Sequence, residues 1–274
     1  MFPLRDNIPS HSTAVVNYGL IGITAAVFLM QVSEPDGQQR LVEQFAMIPA
    51  RVSHPDRSIK IPSAKVEHLP DGQVRQVMEE KILPPSAFPV WLTIFTCIFL
   101  HGGLMHFAGN IWFLYIFGDN VEDRFGHIGY LVFYLASGVA ASLTHYITEP
   151  NSVIPTIGAS GAIAGVMGAY FLMYPKSQVL ALIPIFYIIR IIVVPAPVFL
   201  GIWFAIQFFQ GTAALSGAGA GGVAWWAHIG GFLAGLCVAW ICKMAGLLRP
   251  AANYVRYSSD SEIRHPYSRR QSPW

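Results

Sequence analysis

The sequence predicts an all-α, polytopic membrane protein with six transmembrane helices, a polar loop after the first helix and a polar C-terminal tail. Three observations carry that fold class. The chain of 274 residues is 54% hydrophobic and only 12% charged, whereas a soluble domain carries about 25% charged residues. Most of its charges fall in residues 34–89 and in the tail after Lys243. The remainder is a series of apolar runs close to the ~20 residues that cross ~30 Å of hydrocarbon.

Taken in order, residues 1–13 form a short cytoplasmic N-terminus, and 14–33 hold the first transmembrane helix, whose apolar run is 14–32. Arg5 precedes this run as it would in a signal peptide. Gln31-Val32-Ser33-Glu34 is a poor cleavage site, however, so the helix is expected to be retained. Residues 34–89 are a proline-rich extracytoplasmic polar loop. Asp71-Gly72 reads as a turn there, and Ile61–Val66 and Val74–Met78 as the arms of a small hairpin. Residues 90–100 are apolar and suit the interface, with Trp91 at that depth. Five further spans follow at 103–121, 127–147, 160–175, 195–211 and 225–243. The fourth and fifth are short. Residues 178–194 are also apolar, and Pro195 and Pro197 prevent one long helix through this stretch. Residues 216–222 are a glycine-rich flexible loop, and 244–274 form a basic cytoplasmic tail that is expected to be disordered.

Lys and Arg in short loops set the orientation. Arg5, Arg124, Lys176, Arg190 and the basic tail share one side, and loops 148–159 and 212–224 carry no Lys or Arg. Both termini are therefore expected to be cytoplasmic, in the plasma (inner) membrane. A net charge of +2 gives no reason to expect a nucleic-acid partner, and a basic tail beside anionic lipid is explanation enough. Cys97, Cys237 and Cys242 imply no disulfide framework. Common zinc patterns are absent, so neither metal nor cofactor is expected.

Polar groups at membrane depth are rarely there without a task. Ser160 opens one span within Gly158-Ala159-Ser160-Gly161, and His228 opens another within Ala227-His228-Ile229-Gly230-Gly231. A serine at a helix N-terminus has unbonded backbone amides beside it, which can steady an oxyanion. Gly161, Ala164, Gly165 and Gly168 make one small-residue strip, and Gly231 and Gly235 another. If the strips face each other, Ser160 meets His228 at the top of that interface. No acidic residue sits in the span of His228, so a dyad is predicted, not a triad with Asp. His106 and Asn110 lie four apart on one helical face, where both can donate to an oxyanion. His101 is read as tying a loop to that helix. His101, His106 and His228 number enough for zinc, but no carboxylate base lies near them in these spans.

Four segments together resemble the rhomboid intramembrane serine proteases, over about residues 90–243. They are Phe99-Leu-His101-Gly-Gly-Leu-Met-His106-Phe-Ala-Gly-Asn110, Phe117-Gly-Asp-Asn-Val-Glu-Asp-Arg124-Phe-Gly126, Gly158-Ala-Ser160-Gly161 and Ala227-His228-Ile-Gly-Gly231-Phe-Leu-Ala-Gly235. The resemblance implies a six-helix core with a water-filled cavity open to the extracytoplasmic side. It implies Ser160 as nucleophile, His228 as general base, and His106, Asn110 and the Ser160 amide as oxyanion hole. His101 would support them by hydrogen bonding, and the fifth helix with loop 212–224 would gate entry. Two positions depart from the family. Trp91-Leu92 stands where many relatives have Trp-Arg, and Ala164 where some have an aromatic residue packed on the histidine. Another group must therefore orient His228.

The expected activity is endopeptidase cleavage in or near transmembrane segments of other membrane proteins, which would be its partners together with the bilayer. The alternative is a catalytically silent binder of membrane helices using the same groove. A transporter would call for inverted repeats and midplane ionisable residues, and the sequence has neither. Nothing in the sequence fixes the oligomeric state.

Overall fold

The computed structural model describes residues 1–33, 36–68, 74–185, 188–215, 223–251 and Tyr254. The chain opens with strand β1 (Phe2–Asp6) and helix α1 (Val15–Ser33). Within the polar insertion come α2 (Gly37–Phe45), α3 (Pro49–Ser53), β2 (Ile59–His68) and β3 (Val74–Leu83). A broken segment, Val90–Phe99, contains the single helical turn α4 (Thr93–Thr96). Then follow α5 (Leu104–Phe125), α6 (His127–Thr148), α7 (Ser160–Met173), β4 (Gln178–Ile185), β5 (Ile188–Pro195), α8 (Ala196–Leu215) and α9 (Trp225–Met244).

α1, α6, α8 and α9 are each long and apolar enough to cross a membrane. α5 joins them when taken with Val90–Phe99, against which it is bent by 78°. α7 has 14 residues, which at 1.5 Å per residue makes about 21 Å. It is the most enclosed helix, with Gly161–Tyr170 buried throughout. A short helix can sit at membrane depth because its neighbours, not lipid, surround it.

Two parts of this mostly helical fold are extended. Residues 178–194 form the antiparallel hairpin β4–β5, and β1 adds to β4 to make a sheet of order β1-β4-β5. Ile188-Ile189-Arg190-Ile191-Ile192-Val193-Val194 is dense in β-branched residues, which suits a pleated surface. The hairpin closes at its base, where Ala196 N–H donates to the Ser177 carbonyl over 2.8 Å. Its edge strand is apolar and open, with Ile189 and Ile191 66% and 59% exposed. That surface runs straight into the apolar outer side of α8, at Val198, Ile202 and Ile206. The other sheet is β2–β3, longer than the sequence reading of 61–66 and 74–78, with Ile59 paired to Leu83. The turn at Asp71-Gly72, the loop 216–222 and the tail from 255 lie outside the described residues.

Acidic residues organise the end of the bundle opposite Ser160. Glu122, fully buried on α5, accepts the Val16 and Asn17 N–H groups over 3.0 and 2.7 Å. Asp123 accepts those of His11 and Ser12. Carboxylates here satisfy orphan amides at the start of α1 and complement its dipole. The conformation of Gly126 (φ 72) turns the chain from α5 into α6, and Arg249 beyond α9 donates its N–H to the Arg124 carbonyl. Residues 11–17 and Arg249 thus meet α5 at one end of the bundle.

Asp6 Oδ2 accepts from Tyr170 Oη over 2.6 Å and from Asn120 Nδ2 over 2.8 Å, tying β1 to α7 and α5. Burial pushes the Asp6 carboxyl up to about 8, against the opposing pull of the Tyr170 hydrogen bond. The folded protein therefore holds this proton between about pH 4 and pH 8, where the unfolded chain has lost it. Its stability is full below about pH 4 and falls as pH rises to about 8. Asp6→Asn, which keeps an acceptor, is expected to lessen that fall. Thermal unfolding in detergent at pH 5 and pH 8 checks it: the variant's midpoint drops less with pH than the native one.

Candidate active site

Ser160 is the first residue of α7 and His228 lies in the first turn of α9. Both helices start at the same end of the bundle, and Ser160 Oγ stands 2.7 Å from His228 Nε2. The small strips set that distance. A Cβ at Gly231 would overlap the Gly161 carbonyl, one at Gly235 the Gly165 carbonyl, and one at Gly168 the Phe232 carbonyl. α7 and α9 therefore touch backbone to backbone along their length. Lipid gives helices no hydrophobic drive to associate, so close packing of this kind holds them.

The approach to Ser160 is held from the other side. Gly158 N–H donates to the Cys97 carbonyl over 2.9 Å, in the bent segment. Met47 and Thr156 exchange two backbone hydrogen bonds of 2.8 and 3.2 Å. Ala50 N–H reaches the Ser152 carbonyl over 2.9 Å, so the 34–89 insertion props the loop that leads into the serine. Within the insertion, buried Arg51 donates to the carbonyls of Glu43 and Pro84 over 2.7 and 2.9 Å, fastening the end of α2 to the chain after β3. Gly158 itself has φ +123, and a Cβ there would lie 2.8 Å from His106 Nε2. Only glycine serves both needs.

His106 and Asn110 line one wall of a cavity of about 320 Å³. Gly102 N–H donates to His106 Nδ1 over 3.3 Å. The neutral ring then carries its hydrogen on Nε2, the edge beside Gly158. Asn110 Nδ2 gives one hydrogen to the His106 carbonyl over 2.7 Å, which leaves its other amide hydrogen to donate. Met105, Phe113, Ile163, Met167 and Trp203 make the cavity apolar away from these groups, and its lining on α5 and α8 places it between those helices.

His101 is fully buried, and the tie it makes is through its backbone. Gln31 Nε2 donates to the His101 carbonyl over 3.0 Å, and His101 N–H donates to Gln31 Oε1 over 2.9 Å. Among the described residues its imidazole has no hydrogen-bond partner and stacks edge-on against His106, ring centres 5.1 Å apart. His145 is buried near the end of α6. No group of metal-binding side chains occurs among the described residues.

The sequence reading missed what surrounds His228. Gln207 Oε1, on α8, lies 2.7 Å from His228 Nδ1. Trp203 and Trp225 flank the ring at 5.9 and 6.2 Å between centres. These three surround the ring and can orient it, the task that Ala164 leaves to another group. A signal was present, since an amide in an apolar span raises the same question as the serine and histidine do. A hydroxyl against an imidazole, with two further donors on one wall, has the parts needed for acyl transfer.

Known proteins share much of this sequence. The rhomboid domain model matches residues 89–245, more than half of the chain. Rhomboid-like protein 11, chloroplastic, of Arabidopsis thaliana is 30% identical over 164 residues, covering 56% of this chain and 53% of that protein. RHOMBOID-like protein 6, mitochondrial, of the same plant is 28% identical over 176 residues, or 62% of this chain and 48% of that one. Rhomboid protease GluP of Bacillus subtilis is 39% identical over 79 residues, 29% of this chain and 15% of the protease. The chain thus spans about half or less of the length of these relatives. With the domain match, the order of the four segments and the helical membrane core in agreement, the chain belongs to the rhomboid family.

Proposed function

We propose that this protein is an intramembrane serine endopeptidase acting through a Ser160–His228 dyad. The observation that carries the reading is the 2.7 Å approach of Ser160 Oγ to His228 Nε2 in a cavity also lined by His106 and Asn110. In the reaction, His228 takes the Ser160 proton as Oγ attacks the scissile carbonyl. The oxyanion is met by His106 Nε2–H, the Asn110 amide and the Ser160 backbone N–H. His228 returns its proton to the leaving amine, and water then releases the acyl group from Ser160 by the same steps. No metal or cofactor enters this scheme.

The substrates are transmembrane proteins. A helical segment hides its carbonyls in hydrogen bonds, so cleavage favours segments with helix-breaking residues. Entry between α5 and α8 fits the cavity's position. The reading places the protein in the plasma (inner) membrane, and the distribution of Lys and Arg supports cytoplasmic termini with the site open to the other face.

Labelling with a fluorophosphonate probe tests the reading. An activated serine reacts and a passive one does not, so labelling is expected on Ser160 and lost in Ser160→Ala. An unlabelled, folded protein that cleaves no labelled transmembrane substrate would leave the silent helix binder as the better reading.

A further inference from the structure

Gln207 is the third member of the hydrogen-bonded chain that begins at Ser160, and it stands on a different helix from the other two. It is 6% exposed on an otherwise apolar stretch of α8. Its amide Nε2 lies 3.4 Å from the Trp203 carbonyl, one turn earlier on the same helix. A carbonyl only accepts, so the amide nitrogen faces Trp203 and Oε1 faces the imidazole. Oε1 also only accepts, so His228 Nδ1 must carry the hydrogen across the 2.7 Å contact. In a neutral ring this leaves the lone pair on Nε2, the atom 2.7 Å from Ser160 Oγ. That is the one tautomer able to take the serine proton.

Building on the dyad reading, we propose that Gln207 is the positioning residue that selects this tautomer and fixes the ring. Among the described residues, His228 has no hydrogen-bonding carboxylate. A carboxylate would attract the imidazolium more strongly, but its burial at membrane depth is far costlier than that of a neutral amide. An amide orients the base without bringing a charge into the spans.

The arrangement also makes the base depend on α8. The buried residues of α8 are Ala196, Phe199 and Leu200 at its start, and only Gln207 and Gly211 in the half beside the site. Gly211 is closed in by Trp225 and Ile229, which keeps that half against α9. Displacing it would part Oε1 from Nδ1 and release the tautomer choice, so full activity requires α8 to be seated.

The test compares Gln207→Leu and Gln207→Glu with the native chain in liposomes. Cleavage of a labelled transmembrane substrate and the ¹⁵N shifts of labelled histidine are both read. Gln207→Leu is expected to lower kcat by about 10- to 100-fold, with KM within about two-fold if uniform binding is untouched. The His228 nitrogens should shift from one tautomer to a mixture. Gln207→Glu, which keeps an oxygen at the same place, should recover most of kcat and the single tautomer. Unchanged nitrogen shifts in Gln207→Leu overturn the proposal whatever happens to kcat, as does a Gln207→Glu variant that keeps the native thermal midpoint yet is no better than leucine. Absence of cleavage by the native chain would count against the protease reading alone, because the nitrogen shifts are read without turnover.

Discussion

Replacing His228 with alanine is expected to lower cleavage of a transmembrane substrate by about 10⁴-fold or more. Ser160→Ala should do the same, and the double variant should be no worse than either, because the two groups act on one proton. His228 Nε2 is the base 2.7 Å from Ser160 Oγ, and a serine hydroxyl without a base is a weak nucleophile at neutral pH. Donors on His106 and Asn110 remain in place in both variants, so a small residual rate above water is consistent. Single-turnover cleavage in liposomes, with thermal unfolding as a control for folding, measures the effect. A His228→Ala protein within ten-fold of the native rate would place the base elsewhere.

Gly235→Ala is expected to damage the enzyme through packing alone. Its new Cβ would run into the backbone of Gly165 on α7, including the carbonyl oxygen and carbon. Backbone cannot swing aside as a long side chain can, so α7 and α9 must separate. Overpacking of this kind destabilises by about 1–3 kcal/mol. The two helices carry the nucleophile and the base, and a displacement near 1 Å lowers rates by about 100-fold. Gly22→Ala on α1, where a Cβ meets nothing within 4 Å, is the matched control and should behave as native. The thermal midpoint and the cleavage rate together read the prediction. If Gly235→Ala keeps both, the backbone contact does not set the Ser–His distance.

Much of this fold could be read from the sequence because lipid imposes a length and a polarity that composition reveals. The long helices, the enclosed α7 and the exceptional placement of Ser160 and His228 all follow from apolar runs and the polar groups that interrupt them. The hairpin 178–195 escaped because length and apolarity are silent on whether a run is coiled or extended. Its string of β-branched residues was the better guide. Gln207 escaped for another reason. Its partner lies 21 residues away on another helix, and nothing local marks which amide will meet which ring. The link from Asp6 to Tyr170 is harder still, since the two are 164 residues apart.

That last separation has a consequence for how the molecule is made. Asp6 leaves the ribosome first, and at about 5–20 residues per second Tyr170 follows on the order of ten to thirty seconds later. Through that interval β1 has neither its partner strand nor the phenol that receives its carboxyl. The residues of β1 are therefore placed only after residues made long after them. Their docking is a closing step of assembly, and it fastens the far end of the helix on whose first turn the serine stands.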